Sequence, residues 1–323
     1  MPSLIESAVN REVLAAPDGK SGNVVERVTF ADGRALIVKR LSRGGDWLAR
    51  ATLDDGRIAL LWDSGYLARM PTVVHHAVVS VETEADGWLV VMEDVSRALI
   101  PEQSLVSRDT NRRVMAAMSS MAEEFWGEHV DGLCSLETRY AFLSPATAAR
   151  EADGENPVPK LIGRGWEVFA EVVPADVADA VIAILERPDL LAAQLSGLEG
   201  SLIHGDLKFG NLGFEGDRVV MIDWGDRAGF APPAVELAWY LAINATRVEA
   251  THAELVADFR SEMGERCDDA SLELGLLGGL VQLGWDKALA VTERDHEAVA
   301  KEREDLDWWV ARARDALEEW SPV

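Results

Sequence analysis

The chain has 323 residues, enough to bury a sizeable core and to divide into two lobes. Lys and Arg total 31 against 56 Asp and Glu, a net charge of −25 that excludes nucleic acid and anionic membrane as natural partners and favours a cationic small molecule, although a solvated acidic surface explains it as well. Only Cys134 and Cys267 are present, without a CxxC, which argues against a disulfide framework or zinc site and suits a reducing compartment.

The N-terminus, MPSLIESAVNREVLAAPDGK, has no apolar run of signal-peptide length behind a basic start, so a cytoplasmic location is expected. Period-two alternation follows: VVERVTF at 24–30, a turn around Asp32-Gly33, then RALIVKR at 34–40 predicts a first hairpin. DWLARATLDDGRIALLWDSGYLARMP has apolar residues at helical spacing and predicts one helix, stopped by Pro71. HHAVVSVET at 75–83, a turn at Asp86-Gly87 and WLVVMED at 88–94 predict a second hairpin.

Beyond Pro101 the character changes to long helix-periodic stretches, among them NRRVMAAMSSMAEEFW and VPADVADAVIAILERPDLLAAQL. SLIHGDLKFGNLGFEGDRVVMIDWGD interrupts them and reads as a small hairpin with a polar cluster at each neighbouring strand end. LGLLGGLVQLGW at 274–285 is too short and glycine-broken to span a bilayer and reads as a buried helix, and 297–320 as a closing amphipathic surface helix.

Phosphoryl transfer asks a protein for a carboxylate near the acceptor hydroxyl and for oxygen ligands that keep Mg2+ on the nucleotide phosphates. HGDLKFGN offers Asp206 and Asn211, and VVMIDWGD offers Asp223 one short hairpin later. These segments resemble the aminoglycoside phosphotransferase and choline kinase branch of the protein-kinase-like superfamily, in which HGDxxxxN is the catalytic loop and IDWG stands where protein kinases carry DFG.

That resemblance implies an α+β, two-lobed protein-kinase-like fold: residues 1–95 a nucleotide-binding lobe of a five-stranded antiparallel sheet plus a helix, residues 96–323 a mainly helical lobe with the catalytic loop and acceptor site. It makes Asp206 the catalytic base, Asn211 and Asp223 the metal ligands, and His204 a structural member of the loop. Lys208 either neutralises the transferring phosphoryl group or is a solvent-exposed loop lysine.

Lys39 of LIVKR falls on the third predicted strand, where kinases hold the α and β phosphates. Ser21 and Gly22, in the loop PDGKSGNVV, are candidates for covering the triphosphate. Gly19-Lys20-Ser21 imitates the end of a P-loop, but the glycine required at position 14 is Leu14. By resemblance Glu93 and Val95 offer backbone groups to the purine edge.

The glutamate that kinases set on the following helix is missing, leaving Asp54 or Asp55 as substitutes or Lys39 unpaired. Glu236 of PPAVELAWYL is expected to tie the loop to a helix, and Asp226 to be a helix cap rather than an acid behind the metal. Trp166, Trp239, Trp285 and Asp286 are acceptor-site candidates among mostly core tryptophans, and His75 and His76 read as packing.

The activity so implied is ATP- or GTP-dependent transfer of the γ-phosphoryl group to a small-molecule hydroxyl, first of all on an antibiotic such as an aminoglycoside. Alternatives are a metabolite kinase of choline, sugar or homoserine type, and a nucleotide-binding pseudokinase. A protein kinase is disfavoured, since no APE segment follows IDWG.

Overall fold

The computed structural model describes residues 5–14, 24–101, 104–293 and 296–320. In chain order β1 (Asn10–Val13), β2 (Val25–Thr29) and β3 (Ala35–Ser42) lead into helices α1 (Trp47–Thr52) and α2 (Arg57–Asp63), a 3₁₀ turn at Leu67–Arg69, then β4 (Val74–His75), β5 (Val78–Glu84) and β6 (Gly87–Glu93). Five of these strands form one sheet in the order β1-β2-β3-β6-β5, all pairs antiparallel. The alternation sorts its faces: Val28, Leu36, Val38, Leu89 and Val91 pack together on one side. Lys39, one residue on from Val38 and paired with Val90, points to the other, towards the main core that Val90 joins.

The single helix expected between residues 46 and 70 is two short ones. Asp46 caps α1, accepting from Ala49 N at 2.8 Å; Leu53 then turns left-handed (φ 53°), and Asp54 accepts from Arg57 N at 2.8 Å to start α2. Short acidic side chains that bond nearby backbone compete with helix continuation, and apolar periodicity does not register that competition. Gly56 is required at the break: its φ is 88°, and a Cβ there would lie 2.2 Å from the Trp88 ring.

The second hairpin also differs from expectation at its start. Ala77 has a positive φ (60°), so His75 leaves the five-stranded sheet, and β4 pairs parallel with β9 (Arg218–Met221).

The remaining elements are α3 (Arg108–Glu124), α4 (Leu136–Ala141), α5 (Pro145–Glu151), α6 (Val158–Val172), α7 (Ala175–Glu186), α8 (Pro188–Ser196), β7 (Ser201–Ile203), β8 (Leu212–Glu215), β9, β10 (Gly229–Ala231), α9 (Pro233–Asn244), α10 (His252–Met263), α11 (Asp269–Glu293) and α12 (His296–Glu319). α11 is the buried helix expected around 274–285, and its glycines allow close approach: a Cβ on Gly275, Gly279 or Gly284 would come within 2.9, 2.6 and 2.6 Å of Ala234, Trp309 and Phe169. α12 covers it with Leu306, Trp309 and Ala313. Among the described residues no helix is long and apolar enough to cross a membrane.

The main core is continuous from α1, α2 and the inner face of the sheet into the helical part, where Trp47, Leu61 and Val90 join Phe169, Leu207 and Trp239. A smaller apolar seam of Ala77, Val95 and Val220, flanked by Ala98, Leu99 and Ile222, runs between sheet and helices. It places the polar strand ends in a cleft facing Lys39.

Candidate active site

β7 delivers His204, Gly205 and Asp206 into this cleft. Gly205 has φ +83°, and a Cβ on it would lie 2.1 Å from the Arg227 carbonyl, so a side chain there would separate the two polar loops. Glu236, in the first turn of α9, accepts the N–H groups of His204 and Gly205, tying loop to helix as expected. Burial pushes its carboxyl up to about 7, against the pull of Arg139.

His204 joins the two loops. Nδ1 accepts from Asp206 N at 3.2 Å, so the ring proton is assigned to Nε2, which donates to Ile222 O at 2.9 Å. Burial lowers its pKa to about 4, outweighing the attraction of Asp206, and the ring is neutral, the structural role expected of it.

Asp206 is buried, and Oδ2 takes two donors, Asn211 Nδ2 at 2.9 Å and Arg227 Nη2. Its Oδ1 has no hydrogen-bond partner among the described residues. Asn211 Nδ2 also donates to Asp206 O at 2.9 Å, which fixes the amide and leaves its Oδ1 to serve as a ligand. Asn244, near the end of α9, supports the loop from behind, accepting from Phe209 N at 3.0 Å and donating to Leu207 O at 2.8 Å.

The β8–β9 hairpin returns the chain beside Asn211, whose carbonyl accepts from Ile222 N at 2.9 Å. Asp223 follows with φ 67° and an exposed side chain. Its Oδ1 lies 2.6 Å from Lys39 Nζ, so the strand lysine pairs with the loop carboxylate itself. Crowding by the surrounding cleft walls works against both charges even though the Asp223 side chain stays partly open to solvent, yet each is kept: Asp223 and Asp226 hold the Lys39 ammonium above its ordinary pKa, and Lys39 holds the Asp223 carboxyl well below the carboxylate range.

Neither substitute acid reaches Lys39. Asp55 binds Arg43 at 2.7 Å, and Asp54 faces Arg57 at 3.6 Å. Asp226 caps no helix, because α9 starts at Pro233 with Pro232 before it. Instead the Asp226 carbonyl accepts from Arg57 Nη1 at 2.7 Å, while burial, opposed by Lys39, pushes its own carboxyl up to about 7.

The structure thus gathers Lys39, Asp206, Asn211 and Asp223. Lys208 is half-buried beside them, and its charge helps hold the Asp223 carboxyl down. Glu93 and Val95 lie at the seam, but Val95 N donates to Glu93 O at 3.1 Å and Glu93 N to Ala77 O at 2.8 Å. The two groups expected to read a purine therefore bond to each other. Ser21 and Gly22 lie outside the described residues. Trp166 is core, with Nε1 donating to Leu143 O at 2.7 Å; Trp285 is buried and Asp286 exposed.

Three residues at the site were not legible as such. Arg227 on Asp206 follows Asp223 by four positions, and its only sequence signal is a cation closing the run IDWGDR. Arg57 also donates to Thr52 O (2.8 Å), Leu53 O (3.1 Å) and Gly132 O (3.1 Å), stapling the helix break to the loop that carries Asp223 and Asp226. His75 stands between Glu93 (3.3 Å) and Glu215 (3.1 Å), joining the end of β6 to the β8–β9 hairpin.

Asn211 Oδ1 and Asp223 Oδ2 are hard oxygen donors on segments joined by the Ile222 N to Asn211 O bond, and this donor type suits Mg2+ that keeps phosphate and water as its other ligands. Among the described residues no group of three or more His, Cys, Asp and Glu could hold a metal ion.

Comparison with known proteins bears on the fold. Residues 131–268 match the model of the phosphotransferase enzyme family, APH. Among solved structures, the choline kinase LicA from Streptococcus pneumoniae is similar at TM-score 0.53 and 14% identity, covering 95% of this chain and 94% of its own. A microcompartment-associated aminopropanol kinase follows at 0.52 and 17%, covering 96% and 93%. A thermostable mutant of aminoglycoside phosphotransferase APH(4)-Ia, solved with ADP and hygromycin B, has TM-score 0.50 and 15% identity over 95% of each chain. At such identities the likeness is one of fold: the chain has the two-lobed, protein-kinase-like α+β architecture. No curated protein matches the sequence.

Proposed function

We propose that this chain, whose residues 131–268 match the phosphotransferase enzyme family, is a small-molecule kinase that moves the γ-phosphoryl group of ATP or GTP to an acceptor hydroxyl. In this reading residues 1–95 bind the nucleotide and residues 96–323 carry the catalytic loop and acceptor site. The observation that carries it is the Asp206 carboxylate, with Oδ2 fixed by Asn211 and Arg227 and Oδ1 open, in a cleft shared with the Lys39–Asp223 pair.

Asp206 Oδ1 accepts the hydroxyl proton as the acceptor oxygen forms its bond to the γ-phosphorus. The bond from that phosphorus to the β–γ bridging oxygen breaks, and the electron pair leaves on the nucleoside diphosphate. Asn211 and Asp223 would hold Mg2+, which would supply charge neutralisation on the phosphates. Lys39, released from Asp223, turns its ammonium to the α and β phosphates, and Lys208 faces the transferring group. The apolar seam at Val95, Leu99 and Ile222 suits a flat base.

Mass spectrometry of hydroxylated compounds incubated with the protein, Mg2+ and ATP or GTP tests this. The panel includes aminoglycosides, sugars, choline, amino alcohols and hydroxy acids. Gain of one phosphoryl group with wild type and not with Asp206→Asn is the expected outcome. Absence of Mg–nucleotide binding would refute the reading, and binding without transfer to any acceptor or to water would make the protein a nucleotide sensor.

A further inference from the structure

Arg227 touches the carboxylate that the reading above makes the base. Its guanidinium gives one N–H to Asp206 Oδ2 and lies 5.3 Å from the Trp239 ring centre, while its Nε is buried without a partner. A second guanidinium, Arg139, lies 5.5 Å from the same ring, is only 1% exposed, and has Nε and Nη2 both buried and unpartnered. It gives Gly205 O a single bond of 3.3 Å. Buried N–H donors left unmatched are costly, and here they cluster behind the loop that holds Asp206.

Charge balance points the same way. Glu236, the acid beside Arg139, is committed to the N–H groups of His204 and Gly205. Asp223 and Asp226 act on Arg227 at longer range, but Asp206 is the carboxylate in contact with it, and only until it takes the acceptor proton. At that moment Arg227 stands beside a neutral acid, and an anionic group on the acceptor is what would replace the lost partner.

We infer that the acceptor carries a carboxylate next to the reacting hydroxyl, and that Arg227 is the residue that selects it. This rests on the phosphotransferase reading above and narrows it. The overall charge of −25 favours a cation at long range, but exposed charges are screened beyond about a Debye length of ~8–10 Å. A guanidinium in contact with the base acts within that distance. An ammonium on the carbon next to the hydroxyl would face Arg227 directly, so polyamino sugars and choline fit this position poorly.

Glycolate, glycolamide and ethanolamine are two-carbon alcohols that differ in the charge of the group beside the hydroxyl. Their binding to the Mg2+–ADP form of the whole protein is to be measured by saturation-transfer NMR. Wild type should bind glycolate roughly tenfold or more tighter than glycolamide, with ethanolamine weakest. Arg227→Gln should reduce that preference to within about threefold and Arg227→Lys should keep it, with Mg–ADP binding retained in both as the check on folding. No detectable glycolate binding, a preference for ethanolamine, or a glycolate preference that survives Arg227→Gln overturns the inference. Failure of wild type to bind Mg–ADP would instead refute the phosphotransferase reading itself.

Discussion

Lys39 Nζ and Asp223 Oδ1 are 2.6 Å apart, joining the third strand of the sheet to the loop after the β8–β9 hairpin. The lysine therefore needs no helix acid, and Asp54 and Asp55 are free to serve Arg57 and Arg43. Metal and nucleotide phosphates would divide the pair between them, the carboxylate turning to the cation and the ammonium to the anion.

Replacing Lys39 by Met should accordingly weaken Mg–nucleotide binding by about tenfold or more, the loss of one charge-assisted contact worth roughly 1.5–3 kcal/mol. Calorimetric titration with Mg–ADP measures this, and unchanged affinity would remove Lys39 from the site.

The two loop acids should separate binding from turnover. Asp206→Asn is expected to keep Mg–nucleotide affinity and lose roughly 10²–10⁴-fold in turnover, the usual worth of a positioned general base. Asp223→Asn is expected to lose metal-dependent nucleotide binding. Normal turnover in the first variant, or normal Mg–ATP affinity in the second, would contradict the assignment.

Arg57 is 6% exposed and binds four backbone carbonyls besides facing Asp54. Arg57→Ala would leave Asp54 and those carbonyls without their partner, at a cost of about 3–5 kcal/mol. Lys at this position cannot reach four acceptors and should recover little of it. Chemical denaturation of both variants checks the size, and a loss under about 1 kcal/mol would show that water replaces the guanidinium.

Glu236 provides a pH test. Its carboxyl is pushed from 4.5 up to about 7 by burial, so its protonated form is the one the fold prefers. The stabilisation from that preference is full below pH 4.5 and is lost as pH rises through 7. Relative to Glu236→Gln, wild type should therefore lose about 3 kcal/mol between those limits. A stability gap independent of pH would mean that the carboxylate is already satisfied by the His204 and Gly205 N–H groups.

Most of the fold was legible because its signals are local. Alternation in VERVT, ALIVKRLS and GWLVVME places one face of each strand, and DG turns close the hairpins. The Asp206–Asn211 loop was legible for a related reason: the two residues share a short segment, bonded at 2.9 Å, so their spacing in the chain nearly fixes their spacing in space. The helix over 46–70 was misjudged at Asp54 and Gly56, where side chain-to-backbone bonding and the Trp88 ring decide, and apolar spacing registers neither.

The sequence by itself determined which residue types converge: a strand lysine, an acid and an amide one loop apart, and a second acid after a hairpin. Short-range turns and period-two strands leave few ways to arrange them. Only the tertiary structure decided what each is paired with: Lys39 with Asp223, Arg227 with Asp206, Arg57 with the Asp226 carbonyl, and Glu236 with the loop N–H groups. These partners lie between 21 and 184 positions apart, and a charge at such separation is satisfied by whichever group the packed core brings within reach.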